Sequence, residues 1–176
     1  MYNKNGYTLI ELLTVVTMMG ILAGLGYSKL TGAVQNARIK DAAINTAAYL
    51  ERVASDANRF NKPVCTKVVS SGSSPAQRLE TYFGSCDDPG DLLSHFELDS
   101  YNKFVDANEN PADCPVNFKA TGIEAAWKFG LSVLPDGCFY IRHGNTEKYA
   151  VVTKTNTKNW VFYKLSYDGA QNWFVP

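Results

Sequence analysis

Several sets of residues in this sequence have types and spacings that could do chemistry. Glu11 stands near the start of the apolar run "TLIELLTVVTMMGILAGLGY" (residues 8–27). An ionised carboxylate inside a bilayer core is expensive, so either the segment does not cross a membrane or Glu11 has a dedicated partner. Four cysteines, Cys65, Cys86, Cys114 and Cys138, all lie after that run. They form no C-x-x-C pair, and with two histidines in the chain a zinc site has little to build on. An even number of well-separated cysteines downstream of a membrane segment fits disulfides made in an oxidising compartment. Of the three connectivities, Cys65–Cys86 with Cys114–Cys138 is favoured, because each bridge closes a local loop worth about 3 kcal/mol in the chain-entropy model.

Three further sets are weaker. "DANENPAD" (106–113) gathers Asp106, Asn108, Asn110 and Asp113, and its D-x-N-x-N spacing copies the opening of a calcium loop. Pro111 replaces the glycine such a loop needs, and Asn117 stands where its bidentate glutamate should be, so an Asn/Asp turn is the expectation and no metal is assigned. "KTNTKNWVFYK" interleaves Lys154, Lys158 and Lys164 with Trp160, and Arg142 and Lys148 lie nearby. Strand alternation would put Lys158, Trp160, Phe162 and Lys164 on one face, beside core aromatics, so the lysines read as edge charges and nucleic-acid binding is not expected. No nucleophile motif, phosphate loop or paired-histidine helix is present, so neither an enzyme nor a cofactor is expected. His95 and His143 are expected at the surface or in caps.

The elements that must position these residues follow from patterning. The chain has 176 residues with 17 basic against 17 acidic, a balance that argues against a strongly basic nucleic-acid binder. After the polar "MYNKNG" (1–6), residues 7–27 are almost wholly apolar and would span about 31 Å as a helix, matching a bilayer core. Lys4 before the span predicts a cytoplasmic N-terminus. A secretory signal peptide is the alternative, since "AGLGYSKL" imitates a cleavage site. No proline interrupts residues 1–62, and Ile39, Ala43, Thr46, Leu50, Val53, Ala57 and Phe60 recur at alternating steps of four and three. That stripe predicts one long helix, apolar all round in its first half and amphipathic in its second, stopped by Asn61 and Pro63. Gly20, Gly24, Gly26 and Gly32 are its weak points, each costing up to about 1 kcal/mol against alanine.

Beyond the helix, "PVCTKVV" (63–69) reads as a strand and "PAQRLETYFGSC" as a short helix ending near Gly84. "DDPGDLLSHFEL" reads as loop followed by irregular or helical structure. Strand alternation returns in "CPVNFKA", "AAWKFGLSVL", "GCFYIRHG", "KYAVVTKT" and "NWVFYKLSYD". Turn signals at 135–137 ("PDG") and 143–145 ("HGN") predict antiparallel hairpins. The expected class is α+β, a long N-terminal helix packed by its second half on an antiparallel sheet domain.

"GYTLIELL" (6–13) after a short basic leader resembles the type IV pilin and pseudopilin superfamily, whose processing motif is glycine, an aromatic residue, then Thr-Leu-[Ile/Val]-Glu. The resemblance implies a pilin-like fold and four segments: a leader (1–6), a membrane and filament-core helix (7–29), the amphipathic half of the same helix (30–61), and a globular β-rich domain (62–176). It implies cleavage by a prepilin peptidase between Gly6 and Tyr7, N-methylation of Tyr7, and an assembly role for Glu11. There Glu11 would pair with the terminal ammonium of a neighbouring subunit's Tyr7. The implied partners are other pilin or pseudopilin subunits, the peptidase and the inner membrane, and the implied destination is a periplasmic or cell-surface filament. "RFNKPV" (59–64) is similar to the helix exit of H-type pseudopilins and related minor pilins, with one extra residue between Arg59 and Asn61. Major pilins usually carry a proline where this chain has Ser28, which favours a minor pilin or pseudopilin. The alternative is a membrane-anchored periplasmic binding domain, for DNA uptake or adhesion.

Overall fold

The computed structural model describes residues 8–69, 77–105, 123–126, 130–132, 138–155, 158–169 and 171–176. They form one helix and, among the described residues, nine strands, and the chain divides into two compact units, Met1–Gln35 and Asn36–Pro176.

Helix α1 runs over Leu9–Phe60. In the first unit its apolar side chains, Leu9 through Leu30, are exposed, and the helix is long and apolar enough to cross a membrane. In the second unit the expected stripe packs inward: Ile39, Ala43, Thr46, Leu50 and Ala57 are fully buried and Val53 nearly so. Thr46 tolerates burial because its hydroxyl donates to Ala42 O at 2.8 Å. The stripe fails at its last position. Phe60 is 42 % exposed, set edge-on to Phe83 with centroids 5.6 Å apart.

The reason is the stop. Asn61 takes φ 54°, its N–H donates to Asn58 O at 3.3 Å, and Lys62 N–H donates to Ala57 O at 3.2 Å. This is the Schellman pattern, with asparagine at the left-handed position and Pro63 preventing continuation. It turns the chain directly into β1 (Val64–Val69).

Two antiparallel sheets follow, forming the expected sheet domain. Sheet A has the order β3-β2-β1-β5-β6 and sheet B the order β4-β7-β8-β9. The helix expected before Gly84 is instead β2 (Arg78–Gly84), with Leu79 and Thr81 buried in alternation and Val64↔Phe83 through Val69↔Arg78 paired to β1. The irregular or helical segment expected after it is β3 (Pro89–Glu97), an edge strand that begins with proline, where no ladder N–H is required. Gly84 lies at the bulge between them with φ 100°, and a Cβ there would meet Asp88 O at 2.9 Å. Glycine is therefore obligatory as a turn residue, rather than as the end of a helix.

The single strand expected across "AAWKFGLSVL" is a hairpin of β5 (Ile123–Ala126) and β6 (Gly130–Ser132). "CPVNFKA" (114–120) and the "PDG" turn lie outside the described residues. An unforeseen strand, β4 (Asn102–Val105), pairs with β7 (Cys138–His143), which joins β8 (Tyr149–Thr155) through the "HGN" turn. β9 (Lys158–Ser166) closes sheet B, and the tail returns to it through paired backbone bonds between Leu165 and Phe174. The main core joins the α1 stripe to Val64 and Leu79 of sheet A and to Phe104, Phe139, Ile141, Ala150, Val152 and Leu165 of sheet B. A second cluster, Val105, Cys138, Tyr140, Tyr149 and Val151 with Trp173 against it, lines the other face of sheet B.

Candidate processing and assembly site

The start of α1 is fixed by two side chains of the motif. Thr8 is the N-cap: its Oγ1 accepts from Glu11 N–H at 3.3 Å. Glu11 reaches back in return, its Oε2 accepting from Thr8 N–H at 2.9 Å and from Thr8 Oγ1 at 2.8 Å. This reciprocal arrangement is a capping box, which satisfies two backbone donors that have no partner within the helix and places a carboxylate at the positive end of its dipole. Both bonds to the carboxylate fall on Oε2, so Oε1 keeps its capacity to accept another donor. The signal of this box in the sequence is T-x-x-E immediately before an apolar run, a local pattern distinct from the charge of Glu11.

Beyond Glu11 the threonine hydroxyls of the segment bond within their own helix. Thr14 Oγ1 donates to Glu11 O at 2.9 Å, Thr17 Oγ1 to Leu13 O and Thr14 O at 3.0 and 2.9 Å, and Thr31 Oγ1 to Tyr27 O at 2.9 Å. Hydroxyls bonded back to carbonyls one turn earlier are compatible with an environment that supplies no water. Gly6 and Tyr7, the expected cleavage and methylation residues, lie outside the described residues.

The other candidate residues all belong to the second unit. Cys65 and Cys86 form a disulfide with Cα atoms 5.0 Å apart, one of the two local pairs that loop length favoured. Cys138 is oxidised as well, and its expected partner Cys114 lies outside the described residues. So do Asp106, Asn108, Asn110 and Asp113, and among the described residues no cluster of three acidic, histidine or cysteine side chains could hold a metal ion. The side chains of Lys154, Lys158, Trp160 and Phe162 also fall outside the description. His95 is exposed on β3, as expected. His143 corrects its expectation: it is buried, with Nδ1 3.0 Å from Asn102 Oδ1. Its partners are far away in sequence, and no local pattern announces them.

Residues 1–27 match the family model described as the prokaryotic N-terminal methylation motif. Among curated proteins and solved structures, nothing matches this chain.

Proposed function

We propose that this chain, a type IV pilin-like prepilin by its N-terminal methylation motif and long N-terminal helix, is a minor pilin or pseudopilin subunit of a type IV pilus or a type II secretion pseudopilus. It is anchored in the inner membrane with its N-terminus in the cytoplasm. A prepilin peptidase cleaves it between Gly6 and Tyr7, Tyr7 is N-methylated, and α1 then carries the subunit into the filament. The observation that carries this reading is the division of one helix into two kinds of surface. From Leu9 to Leu30 its large apolar side chains are exposed, and from Ile39 they are buried in the chain's own core. So large an exposed apolar surface needs lipid or the equivalent helices of other subunits to cover it.

Glu11 then acquires two successive partners. In the uncleaved chain it caps its own helix through Thr8. Cleavage creates an ammonium on Tyr7, and methylation retains its charge. In a bundle of such helices the free acceptor capacity of Oε1 meets that ammonium on a neighbouring subunit. Such a buried pair adds little net stability, and its use is to fix the axial register between subunits.

The test is co-expression with a prepilin peptidase, followed by intact-mass measurement. The expected product has lost the six residues preceding Tyr7 and gained one methyl group. A full-length product would refute the reading.

A further inference from the structure

Where the buried stripe of α1 begins, the helix is held by a polar cluster as well as by the apolar core. The guanidinium of Arg38 lies over the Tyr101 ring, 3.6 Å from its centroid, and Arg38 O accepts from Asn102 Nδ2 at 3.5 Å. The same Nδ2 donates to Asp99 Oδ1 at 2.6 Å. With that nitrogen committed as donor, Asn102 Oδ1 must accept from His143 Nδ1, 3.0 Å away, so the neutral imidazole carries its proton on Nδ1. Both side chains are sequestered, Asn102 at 1 % exposure and His143 at 6 %. The imidazole also stacks on Tyr101, with 23° between the planes and 6.2 Å between centroids.

Backbone bonds close the cluster. Gly144 N–H donates to Tyr101 O at 2.7 Å, and the Gln77 amide donates to Asp99 O and Asn102 O at 3.2 and 3.1 Å. The helix, the entry to β2, the segment before β4 and the β7–β8 hairpin therefore meet around one imidazole.

We propose that this cluster is an acid-sensitive clamp on α1: a second proton on His143 opens the Arg38–Tyr101–His143 stack and loosens the start of the packed helix from segment 98–102 and the hairpin. The imidazolium has no good neighbour. From α1 it faces Arg38, and from the segment before β4 it faces Tyr101 and Asp99, whose carboxylate is already engaged by Asn102. From the turn just before β8, the Lys148 carbonyl accepts the backbone N–H of His143 at 3.0 Å, while the Lys148 ammonium is bound to Tyr167 O at 2.9 Å. Arg142, adjacent on β7, donates to Thr146 O and sits over Tyr149.

Burial chiefly, and then the Arg38 charge, hold His143 below the ordinary 6.5, with Asp99 opposing. The unfolded or opened state takes up its proton as pH falls through about 6.5, whereas the clamped state resists until lower pH. The clamped state therefore loses stability on acidification below about 6.5 and is unaffected above it.

The test is hydrogen exchange of the full chain in detergent micelles at about pH 7.5 and about pH 5, corrected for the intrinsic exchange rate and read by mass spectrometry. Exchange in residues 36–50 and 98–105 is expected to rise on acidification, about tenfold for each unit separating the two pKa values, while β1 and β2 stay unchanged. His143→Gln abolishes the rise, Arg38→Gln reduces it by removing the like charge, and His95→Gln leaves it intact. No rise in the wild type, or a rise that survives His143→Gln, overturns the proposal. If His143→Gln does not fold, an NMR titration of the wild-type imidazoles decides: His143 titrating at or above about 6.5 overturns it.

Discussion

Replacing Thr81 by valine should cost more than replacing Tyr49 by phenylalanine, although each change removes one hydroxyl from the same row. The row crosses sheet A where Thr66, Thr81 and Ser94 are register partners on β1, β2 and β3. Thr81 Oγ1 lies 2.8 Å from Thr66 Oγ1 and 2.7 Å from Tyr49 OH, and Tyr49 OH lies 3.0 Å from Ser94 Oγ. Tyr49 belongs to α1, so the row sets how that helix is rotated on the sheet. Thr66 and Thr81 are fully buried. Valine fills the space of Thr81 but leaves Thr66 without its side-chain partner, while Tyr49 keeps Ser94.

A lost bond worth about 1 kcal/mol plus one buried hydroxyl orphaned at about 1–3 kcal/mol gives about 2–4 kcal/mol for Thr81→Val. In Tyr49→Phe, Thr81 keeps Thr66, half-buried Ser94 can reach water, and the stack of ring 49 on Phe96 at 5.3 Å is unchanged, so about 1 kcal/mol is expected. The two variants share one bond, so the double variant should fall short of the sum by about 1 kcal/mol. Urea unfolding of the full chain in micelles, followed by tryptophan fluorescence, measures all three values. Equal costs for the single variants, or strict additivity, would refute the reasoning.

Three other outcomes follow from the geometry. Glu11→Ala is expected to be cleaved normally yet recovered poorly in sheared filaments, and Glu11→Gln, which retains an oxygen for the Thr8 N–H, should share the filament defect; normal recovery of both would exclude the pairing role. Cys65→Ser with Cys86→Ser removes a bridge across a sequence separation of 21, worth about 3 kcal/mol, and an unchanged urea midpoint relative to wild type would show that the bridge contributes nothing. Asp168 is held down to about 2, from 3.8, first by the Asn172 side-chain amide and then by the Ser166 hydroxyl. A depressed carboxylate contributes stability above its unfolded value and loses it as pH falls, so unfolding should become easier between about pH 4 and about pH 2, and Asp168→Asn should flatten that part of the profile.

What the sequence made legible was whatever one element could settle by itself. The stripe from Ile39 to Ala57 needed a single period, and the Asn61–Lys62–Pro63 exit needed only local chain chemistry. β2 and β3 were hidden because Gly84 and "DDPG" punctuate like a helix end and a loop, while bulges at Thr81/Tyr82 and Tyr82/Gly84 break the alternation that would have marked strands. β4 has four residues, too few to show a period. The Thr8–Glu11 box was local and readable. The His143 cluster was not, because Asn102 finds its partners 41 residues away at His143 and 64 away at Arg38. Such long-range polar contacts leave no trace in spacing.

The same distinction bears on the two halves of α1. In the packed half, the buried apolar side chains share one core with side chains of both sheets, and changing one of them is a stability event. In the exposed half the large apolar side chains from Leu9 to Leu30 stand open, yet its threonines already spend their donors on the helix's own carbonyls. A surface with its threonine hydroxyls thus spent and its aliphatic side chains exposed suits lipid tails and other helices alike, because neither offers those threonines a competing hydrogen bond. In the proposed assembly, transfer from bilayer to bundle would therefore change little for Leu9 to Leu30, and the difference in free energy between the two environments would fall on Glu11, the one charged side chain in that stretch before Lys29. On the proposed reading, Glu11 is where membrane and filament would be told apart, and its substitution is expected to move the subunit between them without disturbing the fold of residues 36–176.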